Sequence, residues 1–104
     1  MTAYVYMLRG RDGRYYVGST RADLERRVSE HNAGTFGGFT KTRRPVELVY
    51  SEVFGRITDA IAAERQLKGW SRAKKEALIN GEFERLRILA RNHTDHPPVP
   101  KRAV

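Results

Sequence analysis

The chain has 104 residues, of which 39% are hydrophobic and 31% charged, and this length suits one compact domain with a modest core. It contains no cysteine, which excludes disulfide bonds, thiolate metal sites and a cysteine nucleophile. Lysine and arginine number 20 against 12 acidic residues, and the resulting net charge of +8 at pH 7 favours a polyanionic partner, above all nucleic acid.

Three strands are predicted, the first two as a hairpin. The segments Tyr4 to Leu8 and Tyr15 to Gly18 are rich in aromatic and β-branched residues, and Asp12-Gly13 between them is typical of a tight turn. The segment "GTFGGFTKTRRP" (34–45) combines glycine with basic residues and predicts an exposed loop. A third strand is predicted from Val46 to Phe54.

Helices are predicted in the remainder of the chain up to residue 81. The first begins at Ala22 or Asp23 and ends at Asn32, the second runs from about Thr58 toward Gly69, and the third follows the candidate N-cap Ser71. Residues 82–91 fit a short helix or a strand equally well, and 92–104, with three prolines, predict a flexible tail. We therefore expect one domain over 1–91.

No apolar run approaches the length of roughly 18 residues that a membrane helix needs, and the N-terminus has no signal-peptide pattern. The sequence thus predicts a cytoplasmic protein without a membrane association.

The first predicted helix carries a basic pair at the edge of its apolar stripe. At about 100° per residue, Arg27 and His31 flank the stripe formed by Leu24 and Val28, whereas Arg26 points to solvent. Such a guanidinium can hold a phosphate while the imidazole transfers a proton. The alternative is structural, with Arg27 covering a core boundary and His31 capping the helix end.

Glu64 lies inside the apolar arc of the second predicted helix, where an unpaired carboxylate costs several kcal/mol. It could bind Mg²⁺, which one carboxylate can hold when water and substrate phosphate complete the shell. The alternative is an ordinary helical ion pair with Lys68, four residues further on.

Tyrosines crowd the first two strands. By alternation, Tyr4 and Tyr6 share one face of their strand, while Tyr15 and Tyr16 lie on opposite faces. Packing explains most tyrosines of this kind. A tyrosine with an ordinary pKa near 10 acts as a base only where cations lower that pKa, as Arg27 and a metal ion would.

Several separated motifs together resemble the GIY-YIG nuclease domain. "YVY" (Tyr4 to Tyr6) is similar to its first signature and "YVG" (Tyr16 to Gly18) to its second, followed by a helix with an arginine and a later helix with a glutamate. The first signature here lacks its opening glycine. Over roughly residues 3–80 the chain looks most like the small stand-alone bacterial proteins of this superfamily.

The resemblance implies a small α/β domain of the α+β type, with a central three-stranded antiparallel sheet flanked by helices. It also implies hydrolysis of DNA, branched or single-stranded forms included, in repair or recombination, with Mg²⁺ or Mn²⁺ as cofactor. In such a site Glu64 holds the metal, Arg27 stabilises the phosphate, and Tyr6 or Tyr16 activates or positions the attacking water. His31 matches a histidine four residues after the arginine in some members.

The spacing typical of the family points to Arg26 rather than Arg27. Because Arg26 faces away from the apolar stripe, we assign Arg27 and infer one extra residue in the turn before the helix. Arg21, Glu25 and Glu30 are then expected to face water, as is Arg26.

In the glycine-rich loop, Lys41, Arg43 and Arg44 are expected to contact flanking phosphates. The alternative functions are a nucleic-acid-binding module that retains this scaffold without catalysis, and a protein-interaction domain with incidental charge.

Overall fold

A computed structural model describes residues 2–34 and 38–91, apart from the side chains of Phe39 and Arg91. Its elements are β1 (Ala3–Arg9), β2 (Tyr15–Thr20), α1 (Leu24–Asn32), one 3₁₀ turn (Gly38–Thr40), β3 (Glu47–Phe54), α2 (Ile57–Lys68), α3 (Arg72–Ile79) and α4 (Phe83–Arg91). Residues 82–91, left open between helix and strand by the sequence, are thus mostly helical. The tail predicted for 92–104 lies outside the described residues.

The three strands form one antiparallel sheet in the order β2-β1-β3, so β2 is an edge strand. The predicted turn between β1 and β2 is confirmed: Gly13, with φ 84°, donates its N–H to the Gly10 carbonyl at 2.9 Å. A positive φ of this kind favours glycine. A three-stranded antiparallel sheet with four helices is the α+β fold that the sequence predicts.

Helix α1 packs on the sheet through its apolar stripe. Leu24 and Val28 contact a buried cluster that contains Tyr6 and Leu8 of β1. At the N-terminus of the helix the Asp23 side chain accepts the N–H of Glu25 at 3.3 Å, which satisfies one backbone donor of the first turn. The stripe thus determines which side of α1 faces the sheet.

The chain divides into two compact units, Met1–Glu64 and Arg65–Val104, with the boundary inside α2. The sheet, α1 and every predicted site residue belong to the first unit. In the second, Ser71 caps α3 as predicted, and α3 contacts α4. The single domain expected over 1–91 stays a prediction. None of the described helices is long and apolar enough to cross a membrane.

Candidate active site

Tyr6 lies against the backbone of β2 at Gly18, its direct partner in the sheet register. A Cβ built at Gly18 would be 2.6 Å from the Tyr6 hydroxyl oxygen and 2.7 Å from its Cζ. Nonbonded carbon atoms normally stay about 3.5–4.0 Å apart. Glycine at this position is therefore what allows the Tyr6 ring, only 3% exposed, to lie across the end of the edge strand.

His31 connects Tyr6 to the glycine-rich loop. Its Nε2 lies 3.1 Å from the Tyr6 hydroxyl and its Nδ1 lies 2.8 Å from the Thr40 hydroxyl. His31 and Thr40 are both almost completely buried. The partly buried Tyr16 completes this group, with its ring centroid 5.1 Å from that of His31. The structure therefore brings three of the predicted site residues into one cluster.

Arg27 reaches from α1 to the last residue of β2. Its Nε and Nη2 donate to the Thr20 hydroxyl at 3.2 and 2.9 Å, and its Nη1 lies 3.6 Å from a carboxylate oxygen of Glu30. The Arg27 side chain is 25% exposed, against 73% for Arg26, so Arg26 faces solvent as predicted. Glu30, expected simply to face water, is instead partly buried between the two arginines.

Glu64, from α2, is held at the same strand end. The Ser19 hydroxyl donates to its Oε1 at 2.5 Å. Ser19 lies between the glycine that contacts Tyr6 and the threonine that holds Arg27. Side chains alternate along a strand, so Ser19 and its two neighbours approach the strand edge from different faces. The charge of Glu64 nevertheless acts on the Tyr6 phenol and contributes to its raised pKa, so the carboxylate lies near Tyr6. Three consecutive residues of the edge strand thus each contact one candidate site residue: Gly18 leaves room for Tyr6, and the next two hydroxyls bond Glu64 and Arg27.

The pKa of Tyr6 is raised well above its ordinary value of 10, mainly because the phenol is buried. Electrostatic interactions with Tyr16, Glu64 and Glu30 add to the increase, and the positive charge of Arg27 opposes it. Arg27 thus lowers the pKa of Tyr6 as expected, but burial of the phenol outweighs its effect. The Tyr6 phenol is protonated at neutral pH.

The pKa of His31 is lowered from 6.5, first because the ring is buried and second because Arg27 is nearby, while Glu30 opposes the shift. His31 is therefore neutral at pH 7. A neutral imidazole donates from one ring nitrogen and accepts at the other. His31 can accept a hydrogen bond from the Tyr6 hydroxyl at Nε2 only if its Nδ1 donates to the Thr40 hydroxyl.

The three basic residues of the loop differ in their contacts. Arg43 donates to the Asp12 carboxylate at 2.8 Å, so its charge is compensated within the protein. Arg44 donates to the backbone carbonyls of Lys41 at 2.9 Å and Asn32 at 3.2 Å, which leaves its charge uncompensated by those bonds. Lys41 is exposed. The prediction that all three contact phosphates is least well supported for Arg43.

In the described part of the chain, no group of three or more histidine, aspartate or glutamate side chains is gathered around a possible metal position. Glu64 therefore offers a single carboxylate, oriented by Ser19. This donor set suits Mg²⁺, which usually keeps several water ligands and takes one or two carboxylates together with substrate phosphates. It does not suit a metal that needs a closed cage of protein ligands.

Sequence reasoning missed the hydroxyl residues of the site. The Ser19 hydroxyl contacts Glu64, which lies 45 positions away along the chain. The Thr20 hydroxyl contacts Arg27, 7 positions away, and the Thr40 hydroxyl contacts His31, 9 positions away. A signal was present for two of them, since Ser19 and Thr20 directly follow the glycine of the second tyrosine motif. Thr40 gave none, because its loop has no periodic pattern.

Comparisons with known proteins agree with this architecture. The chain matches the family model of the GIY-YIG catalytic domain over residues 2–77. A UPF0213 protein of Staphylococcus saprophyticus is 42% identical over 77 residues, covering 74% of this chain and 93% of the relative. A UPF0213 protein of Halobacterium salinarum is 45% identical over 76 residues, covering 73% and 97%.

Two solved structures are also similar. The solution NMR structure of an E. faecalis protein has a TM-score of 0.52 at 33% identity and covers 94% of this chain and 96% of its own. That of a UPF0213 protein from Bacillus halodurans has a TM-score of 0.50 at 38% identity, covering 77% and 84%.

Proposed function

Because this chain belongs to the GIY-YIG catalytic domain family, we propose that it is an endonuclease that hydrolyses phosphodiester bonds in DNA with a divalent metal ion. One observation carries the proposal: consecutive residues at the end of β2 contact a tyrosine, a glutamate and an arginine. These groups could supply proton transfer, metal binding and charge stabilisation, the requirements of phosphodiester hydrolysis.

Arg27 would stabilise the scissile phosphate. Two of its nitrogens are fixed by the Thr20 hydroxyl, and Glu30 lies beside the third, so the guanidinium has little rotational freedom to lose when it binds an anion. A prepositioned cation of this kind acts most strongly where charge develops in the transition state. Its partial burial strengthens the interaction, because water screens the charge less.

Tyr6 and His31 would activate the attacking water together. A free tyrosinate is costly here because the pKa of Tyr6 is raised. In our proposal the Tyr6 oxygen accepts a proton from water while its own proton passes to Nε2 of His31, 3.1 Å away. This step requires the tautomer in which Nδ1 donates to the Thr40 hydroxyl, 2.8 Å away, so that Nε2 is the acceptor. Tyr16 supports the histidine ring by packing.

Glu64 would hold Mg²⁺ or Mn²⁺, and the bound ion would neutralise charge on the phosphate as a Lewis acid. The Ser19 hydroxyl orients the carboxylate for this role. Because the protein offers one carboxylate, we expect weak metal binding in the absence of DNA and tighter binding when a substrate phosphate completes the shell.

The proposal is tested by incubating the purified protein with duplex, branched, flapped and single-stranded DNA in Mg²⁺ or Mn²⁺. We expect metal-dependent cleavage of at least one substrate, lost on addition of EDTA and in the Glu64→Gln variant. Glu76→Gln, which removes a carboxylate from α3 that pairs with Arg72, is the matched control and should cleave normally. No cleavage of any substrate with either metal would contradict the proposal. Salt-sensitive DNA binding in that case would identify a non-catalytic binding module.

A further inference from the structure

An open cavity of about 390 Å³ lies beside the basic loop, in the first compact unit. Its lining contains none of the proposed catalytic residues. It is formed by Arg11 from the β1–β2 turn, Asn32 at the end of α1, and Lys41, Thr42, Arg44 and Pro45 from the loop. Three of these six residues are cations and none is an acid, so the cavity is strongly positive.

The turn and the loop that line the cavity are fixed by contacts that do not neutralise its charge. The Arg11 N–H donates to the Arg43 carbonyl at 2.9 Å and thereby ties the turn to the loop. The guanidinium of Arg44 is fixed by two backbone carbonyls, which are neutral acceptors. Within residues 2–34 and 38–91, no carboxylate forms an ion pair with Arg11, Lys41 or Arg44.

Neighbouring arginines show the opposite pattern. Arg43 is paired with Asp12, and Arg9 forms a salt bridge with Glu47 at the rim of a second cavity. Carboxylates are thus available on this surface, but they compensate other arginines. Three like charges around one cavity repel one another, and an anion in the cavity would offset that repulsion.

The position of the cavity relates it to the catalytic residues. Asn32 follows His31 in the sequence, and Lys41 follows Thr40, so two segments of the lining begin directly beyond the bonded His31–Thr40 pair. Arg27 lies further away, because it binds Thr20 at the end of β2, whereas Arg11 belongs to the turn that precedes β2, and the residues of β2 span roughly 20 Å. A nucleic-acid strand with its scissile phosphate at Arg27 would reach the cavity with a phosphate further along its backbone. From this geometry we infer that the cavity binds a backbone phosphate of the DNA strand outside the cleavage point.

This inference rests on the proposed function for the identity of the strand and refines the expected phosphate contacts. Arg11 joins Lys41 and Arg44 as a binding residue, and Arg43 has a structural role in place of the role expected from the sequence. The site contributes to the affinity for DNA and the register of the strand. The chemical step is left to the residues at the end of β2.

The test compares the double variant Arg11→Gln/Lys41→Gln with the charge-matched control Arg26→Gln/Arg56→Gln. All four side chains belong to exposed residues of the first unit, so neither pair disturbs the core. Arg44 is left intact because it also holds the loop. Binding of a fluorescent 20-base-pair duplex is measured by anisotropy in EDTA over a range of salt concentrations, with circular dichroism as a check of folding.

A phosphate contact contributes about 0.9 to the slope of log K against log salt. We expect the Arg11/Lys41 variant to reduce the slope by about one unit relative to wild type and to raise the KM for cleavage, with kcat within about twofold. The control should keep at least most of the wild-type slope. Equal slopes for the two variants would overturn the inference, whether or not the wild type cleaves DNA. If the Arg11/Lys41 variant alone loses salt dependence of binding and the wild type cleaves no DNA, the cavity binds phosphate but the proposed nuclease activity is refuted.

Discussion

Replacing Gly18 with alanine should displace the Tyr6 ring and destabilise the protein. The new methyl carbon would lie 2.6 Å from the Tyr6 hydroxyl oxygen, 2.7 Å from Cζ and 3.0 Å from a ring carbon of Tyr16. Restoring ordinary contacts of about 3.5 Å requires a shift of roughly 1 Å. The Tyr6 ring cannot make this shift freely, because it is 3% exposed and packs with Leu8 and Val46.

The magnitude follows from two effects. Overpacking of a buried group costs about 1–3 kcal/mol. A shift of that size would also break the 3.1 Å bond between Tyr6 and His31, and a hydrogen bond of this kind contributes about 1 kcal/mol. We therefore expect the free energy of unfolding to fall by about 2–4 kcal/mol. Backbone strain does not contribute, since Gly18 is not among the residues with a positive φ.

The assay is urea denaturation followed by circular dichroism, with Gly55→Ala as the control. A Cβ at Gly55 would meet no atom within 4 Å, so that variant should unfold within about 0.5 kcal/mol of wild type. If Gly18→Ala were as stable as Gly55→Ala, the close approach of Tyr6 to the strand would be wrong, and the arrangement of the site with it.

Three further predictions concern the cluster around His31. His31→Gln should weaken the pH dependence of stability. Because burial lowers the pKa of His31 in the folded state, the unfolded state binds the proton more readily. The stability of the wild type is therefore complete above pH 6.5 and declines as the pH falls from there toward the folded-state pKa of His31. Urea midpoints measured across that range should diverge between the two proteins, and parallel curves would contradict the shift. Thr40→Val should cost about 1–3 kcal/mol in thermal or urea unfolding because it removes the hydroxyl that bonds Nδ1, while Thr40→Ser should retain most of the stability. Tyr6→Phe should slow single-turnover cleavage about 10²-fold or more, because it removes a proton-transfer group. Tyr16→Phe should slow cleavage much less. The reverse order of the two rates would give Tyr16 the proton-transfer role.

Much of the fold could be predicted because local sequence patterns determine its elements. The alternating tyrosine strands, the Asp12-Gly13 turn and the Ser71 cap each determine their element within a few residues, and the structure confirms them. The resemblance carried by the two tyrosine motifs is confirmed by the family match over residues 2–77. Residues 82–91 were ambiguous because a short apolar pattern fits either periodicity, and the choice depends on packing.

The site was predictable only in part. The positions of Arg26 and Arg27 follow from the geometry of one helix, so their different exposures could be derived from the sequence. The Ser19–Glu64 bond joins residues 45 positions apart and has no local signal. The raised pKa of Tyr6 could not be anticipated either, because the direction of the shift depends on how completely the folded chain buries the phenol.

The most direct test of the proposed catalysis compares two adjacent arginines in single-turnover cleavage of DNA at saturating protein. Arg27→Gln removes the guanidinium held at Thr20, and Arg26→Gln removes an equal charge from the solvent side of the same helix. We predict that Arg27→Gln lowers the cleavage rate by about 10²–10³-fold and that Arg26→Gln leaves it within about twofold of wild type. Equal rates for the two variants would contradict the account.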